Sequence, residues 1–197
     1  METHAFIIIG RSGCGKGTQA DLLKAKLTEK GNLSVFYVET GDMFRNFIKG
    51  KSLSSNLSQD IYEKDVRQPD FLACYMWSTF LVEGLKEPSQ VIFDGTPRSI
   101  LEAKLLETAL IFYKFSKIHI IHLDVSREWS EKHLLSRGRS DDATIAKIDT
   151  RLNWFDTDVV PAIEYFKNSE YNFVVINGEQ SIEEVSGAIE KALNLSF

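Results

Sequence analysis

Gly10-Arg11-Ser12-Gly13-Cys14-Gly15-Lys16-Gly17-Thr18-Gln19 joins an apolar run, Ala5-Phe6-Ile7-Ile8-Ile9, to a helical pattern through Ala20, Leu22, Leu23 and Leu27. A glycine-rich turn between a strand and a helix lets backbone N–H groups wrap a phosphate at close range. Lys16 is placed to reach the terminal phosphates. The general phosphate-loop pattern puts Ser or Thr directly after the lysine; here Gly17 intervenes and the first hydroxyl belongs to Thr18.

The rest of the chain has the size and balance of one intracellular domain. Its 197 residues allow a sizeable core. A net charge of -5 argues against nucleic acid as the main partner. Two cysteines, Cys14 and Cys74, make neither a disulfide framework nor a metal-ligand spacing and suit a reducing cytoplasm. The start of the chain reads as neither a secretory signal nor a transit peptide, and no run is long enough to span a bilayer.

Short apolar runs alternate with helical patterns. Strands are expected at Ala5 to Ile9, Val35 to Val38, Val91 to Phe93, Ile118 to Leu123 and Phe173 to Ile176. Helices are expected near 17–30, 41–85 in several pieces, 99–114, 126–136, 143–167 and 181–194. This alternation predicts an α/β fold, a parallel sheet of about five strands with helices on both faces and its ligand site beyond the carboxyl ends of the strands.

Polar motifs stand at those ends: Thr40-Gly41-Asp42-Met43-Phe44-Arg45 after the second strand, and Asp94-Gly95-Thr96-Pro97-Arg98 after the third. After the fourth strand and its helix comes Ser136-Arg137-Gly138-Arg139-Ser140-Asp141-Asp142, with Arg151 beyond. With Gly-Lys-Gly-Thr-Gln at 15–19, these elements in this order resemble the adenylate kinase family along almost the whole chain. The resemblance implies a phosphate-loop nucleotide kinase core over 1–197, with a helical insertion for the nucleoside monophosphate at 39–69 and a short lid at 136–143. It implies ATP and Mg2+ as cofactors, small nucleotides as partners and a monomeric state.

The arginines suit that chemistry. Five of the eight, Arg45, Arg98, Arg137, Arg139 and Arg151, lie in these motifs. Phosphoryl transfer between two nucleotides concentrates negative charge, which guanidinium forks bind bidentately. An acceptor that is itself a phosphate is already ionised and needs no general base, unlike a hydroxyl acceptor.

By matched position, the resemblance implies that Lys16 and the amides of Gly13, Cys14, Gly15, Gly17 and Thr18 hold the donor phosphates. Arg45 and Arg98, beside Thr40 and Gly41, would grip the acceptor phosphate. Arg137, Arg139 and Arg151 would act at the transferring group, and Asp94 would hold waters around magnesium. Asp141 and Asp142 either orient the lid arginines or cap a helix start.

The lid lacks the cysteine cluster of zinc-bearing long forms, so no structural zinc is expected there. His119 and His122, three apart on a strand, should face opposite sides of the sheet. Lys16 and a helix start beside Cys14 are of the kind that lowers a thiol pKa.

Departures from the family gather around the bases. His133 stands where an arginine usually stacks on the donor adenine, and Glu102 where a glutamine reads the acceptor adenine. Thr96 replaces an aromatic, Ser12 a proline, and Asp65-Val66-Arg67-Gln68-Pro69 is a more polar pocket wall. A carboxylate only accepts hydrogen bonds and suits guanine better than adenine; the alternative places Glu102 on a solvated helix face. The expected function is ATP-dependent phosphorylation of a nucleoside monophosphate, AMP first. GMP or a pyrimidine monophosphate as acceptor, or a catalytically weak nucleotide-binding partner, are the other readings.

Overall fold

The computed structural model describes residues 2–30, 33–64, 66–138 and 144–194. Five strands, β1 (His4–Gly10), β2 (Val35–Glu39), β3 (Gln90–Asp94), β4 (Lys117–Asp124) and β5 (Asn172–Asn177), form one parallel sheet in the order β2-β3-β1-β4-β5. Each expected strand is present, extended by one or a few residues.

The strands read as continuous apolar runs because both faces are covered. Along β1 the side chains alternate. Ala5, Ile7 and Ile9 join Val91, Phe93 and Ile120 under Trp77, Leu81, Leu106, Leu110 and Phe166, which come from α4 (Asp70–Gly84), α5 (Ile100–Phe112) and α8 (Val160–Lys167). Phe6 and Ile8 join Ile92, Ile121, Leu123 and Ile176 beneath α1 (Lys16–Lys30) and α9 (Ile182–Leu193), which contribute Leu23, Leu27, Val185 and Ile189. A large side chain buried this way contributes about 1.5–3 kcal/mol, so the two layers clamp the central strand and fix where its loop emerges.

The remaining helices surround the carboxyl edge. The pattern over 41–85 resolves into α2 (Thr40–Phe47), α3 (Leu53–Glu63) and α4. Ser52 begins α3 by accepting the Ser55 N–H at 3.0 Å, so the polar stretch 50–55 is turn in its first half and helix in its second. α6 (Arg127–Arg137) ends at Gly138 in the left-handed conformation, φ 65°, which favours glycine at this position. The pattern over 143–167 is α7 (Ile145–Trp154), a π-helical segment (Phe155–Val159) and α8. Arg139, Ser140, Asp141, Asp142 and the Arg137 side chain lie outside the described residues, and with them most of the expected lid.

His119 stacks on Phe6 with ring centroids 5.0 Å apart, while His122 lies toward Phe173, packed on the other layer, so the two do face opposite sides. Among the described residues no helix is long and apolar enough to cross a membrane.

Candidate active site

β1 ends on the phosphate loop and β3 ends on Asp94, so the central strands deliver both to one edge of the sheet. Gly13 has φ +85°, and a Cβ there would lie 2.9 Å from the Ser130 carbonyl oxygen, so any larger residue would push the loop off α6. The Lys16 ammonium donates to the carbonyls of Gly10 at 2.8 Å and Arg11 at 2.9 Å, which holds it across the loop mouth. The N-terminus of α1 opens into the same space and adds its positive dipole.

That space is a cavity of about 430 Å3. Ser12, Gly13 and Gly15 to Thr18 of the loop form one wall, with Asp94 beside Gly17; Gly41, Arg45, Arg98 and Arg151 line the rest, with His133 and Ser136 of α6. Arg45 and Arg98 converge on Gly41: a Cβ at that glycine would sit 3.1 Å from Arg45 Nη1 and 3.9 Å from Arg98 Nη2. Arg45 is steadied by Glu39 at 2.7 Å, and Arg98 by donating from Nε to the Gly95 carbonyl at 2.8 Å. Burial, and after it the guanidinium groups of Arg151 and Arg45, push the Arg98 pKa down, against the pull of Glu102 and Asp94. Guanidinium still stays protonated, so this crowding of like charge is a site prepared for an anion.

Asp94 is buried beside Gly17, and its Oδ2 accepts from the Tyr37 hydroxyl at 3.0 Å. A single fixed carboxylate facing the cavity fits a magnesium ion that keeps most of its waters and takes other ligands from phosphates. Among the described residues no group of three or more His, Cys, Asp or Glu is arranged to hold a metal directly.

Behind Arg98 a second cavity of about 100 Å3 is lined by Phe44, Tyr62, Val66, Arg67, Gln68, Glu102 and Trp154 among others. Its mixed aromatic and polar walls suit a planar base. Glu102 is fully buried, which overturns the solvated-face alternative. Each of its oxygens already holds one donor: Oε1 accepts from Thr96 Oγ1 at 2.8 Å and Oε2 from the Arg98 N–H at 2.5 Å. Burial raises its pKa, against those two hydrogen bonds.

Two further expectations change. The Cys14 thiol is buried in the core layer under α1, and burial pushes its pKa up, outweighing Lys16. Its N–H donates to the Arg11 carbonyl at 3.2 Å, closing the loop's own turn. His133 lies on the rim but stacks on Trp129, ring centroids 4.3 Å apart, with Nδ1 2.9 Å from the Trp129 carbonyl oxygen. One face of the imidazole is therefore already covered.

Sequence reasoning passed over Trp154 and Tyr62, and read Arg67 only as part of a polar wall. Trp154 stands one helical turn from Arg151, a spacing that carries the signal once Arg151 is singled out.

The family model described as adenylate kinase matches residues 8–171. The chain is 34% identical over 192 residues to an adenylate kinase of Parabacteroides distasonis, covering 95% of this chain and 96% of that protein. It is 30% identical over 193 residues to one of Flavobacterium psychrophilum, with 96% and 97% covered. An adenylate kinase 1 of a Nostoc species is 32% identical over 188 residues, with 95% and 97% covered.

Proposed function

Because the chain belongs to the adenylate kinase family and is an ATP-dependent phosphotransferase directed at AMP, we propose that the two walls of its cavity divide the donor and acceptor phosphates between them. The observation that carries this reading is the meeting of Arg45 and Arg98 over Gly41, across one cavity from Lys16 and its loop.

On the donor wall, Lys16 and the amides of Gly13, Gly15, Gly17 and Thr18 hold the β- and γ-phosphates of ATP, with Cys14 contributing to the shape of the turn. On the acceptor wall, Arg45 and Arg98 grip the phosphate of AMP, and Thr40 and Gly41 let the nucleotide approach the backbone. Arg151, which lines both cavities, neutralises charge at the transferring group; Arg137 and Arg139 are assigned to the same task by position in the sequence. The acceptor oxygen is already ionised, so the protein's work is alignment and charge stabilisation. Magnesium, held through water by Asp94, supplies charge neutralisation on the polyphosphate when bound. His133 borders the donor base, and the second cavity takes the acceptor base. Glu102 acts there through Arg98, whose backbone it holds; the insertion 39–69 flanks the site, and residues 136–143 are assigned to the lid by position in the sequence.

Two buried, unpaired cysteines support a reducing, cytoplasmic setting, and the family resemblance is the ground for assigning a monomer. A coupled assay of nucleoside diphosphate formation from ATP with AMP, GMP, CMP and UMP tests the reading. AMP should be the best acceptor; equal rates with all four, or none with any, refute it.

A further inference from the structure

The helix that carries Arg151 does not continue as a regular helix. After Trp154 it widens into the π-helical turn Phe155–Val159, where the Val160 N–H donates to the Phe155 carbonyl five residues back. Phe155 and Val159 point into the core with Ala162, Ile163 and Phe166 of α8, so the turn is firmly seated. Its two carboxylates reach different partners. Asp156 Oδ1 accepts from Arg11 Nη1 at 3.0 Å, while the Arg11 guanidinium lies 4.2 Å above the Phe155 ring. Asp158 Oδ2 accepts from Arg67 Nε at 3.0 Å.

These partners belong to different halves of the site. Arg11 is in the phosphate loop, and its carbonyl receives the Lys16 ammonium. Arg67 stands on the exit of the acceptor insertion, lines the base cavity, and donates to Asp70 at 2.6 Å. The same Asp70 oxygen accepts from Ser99, the residue after Arg98. π-turns recur at functional sites because the extra residue re-aims side chains that a regular helix would place elsewhere.

We propose that Asp156 and Asp158 are positioning residues of the phosphoryl-transfer site: the π-turn is a common anchor, with Asp156 setting the donor loop and Asp158 the acceptor wall relative to Arg151. The inference rests on the donor and acceptor sides assigned above. Neither carboxylate touches a nucleotide: Asp156 acts through Arg11, with Arg127 3.8 Å from its other oxygen, and Asp158 acts through Arg67. Loss of one anchor should loosen one side and leave the other in place.

The test is steady-state kinetics of the full-length Asp158→Asn and Asp156→Asn proteins, each nucleotide varied at saturation of the other. Asp158→Asn should raise KM for AMP about fivefold or more and keep KM for ATP within about twofold; Asp156→Asn should show the reverse split. Asp158→Glu, which keeps the charge, should recover most of the AMP affinity. A double-mutant cycle of Arg67→Gln with Asp158→Asn guards against a general loss of structure. Coupling in KM for AMP, the double variant being no worse than the worse single one, supports the anchor. Equal rises in both KM values, no change in either, or strict additivity in the cycle overturns it. Full turnover in Lys16→Ala would instead remove the donor assignment beneath it.

Discussion

The carboxylate of Glu102 accepts the backbone N–H of Arg98, four residues before it, at 2.5 Å. The hydroxyl of Thr96 binds the other carboxylate oxygen at 2.8 Å and itself receives the Thr40 hydroxyl at 3.0 Å. Glu102 therefore ties the ends of β2 and β3 to the arginine proposed for the acceptor phosphate.

Glu102→Gln is accordingly expected to change the ratio of kcat/KM for AMP and GMP by less than about threefold, because the amide oxygen can keep the Arg98 N–H. Glu102→Ala should destabilise the fold by about 1–3 kcal/mol, since it orphans that N–H and the Thr96 hydroxyl. Kinetics with both acceptors, together with urea melts, check the pair. A tenfold gain for AMP in the glutamine variant would return the carboxylate to the base edge.

The same burial gives a pH signature. A carboxyl whose pKa is raised on folding carries a penalty at high pH, so its contribution is most favourable below the unfolded value and is lost as pH rises through the folded one. Melting temperatures of wild type and Glu102→Gln should therefore converge on acidification and diverge in favour of the variant as pH rises. A divergence of opposite sign counts against the buried charge.

His119 acts in the other direction. Burial first, then His4 and Lys117, lower its pKa to about 4. The folded protein resists protonation there, while the unfolded chain takes up the proton near pH 6.5, so stability falls as pH drops from about 6.5 to about 4. His122, also lowered by burial, adds to the trend. Urea unfolding at pH 7 and pH 5 should show a loss on the order of 1–3 kcal/mol that His119→Gln reduces; the same pH slope in that variant would assign the effect elsewhere.

Lys16→Ala should lower kcat/KM by about a hundredfold or more, as removal of a charge-stabilising donor does in other transferases and hydrolases. Its own bonds are to two loop carbonyls and, at 3.7 Å, to the Cys14 sulfur, so the stability cost should stay at ~1 kcal/mol. Stopped assays paired with thermal melts separate the two effects, and turnover near wild type would refute the role.

A bisubstrate analogue of two linked adenosines should slow amide exchange in α2 and α3 as well as in the phosphate loop. Gly41 and Arg45 of the proposed acceptor wall lie on that insertion, and excluding water from the transfer would need it to close. Protection confined to the phosphate loop would show that the acceptor wall does not engage.

The sequence by itself determined the sheet and the phosphate loop. Apolar runs such as Ala5 to Ile9 and Ile118 to Leu123 can bury both faces only inside a covered parallel sheet, and the glycine spacing at 10–17 has a local, backbone cause. Asp94, Arg98 and Arg45 were legible because Asp94 ends β3, Arg98 lies in the turn before α5 and Arg45 lies on the helix that directly follows β2, and strand ends in such a sheet share one edge. Which way side chains turn once they arrive depends on how the elements pack. Glu102 turns inward because Thr96 and Arg98 present donors there, Cys14 is buried because its loop lies on the core, and His133 gives one ring face to Trp129. The links from Asp156 to Arg11 and from Asp158 to Arg67 span 145 and 91 residues. No local pattern encodes a pairing across such separations, because it depends on how whole elements pack and not on propensity along the chain.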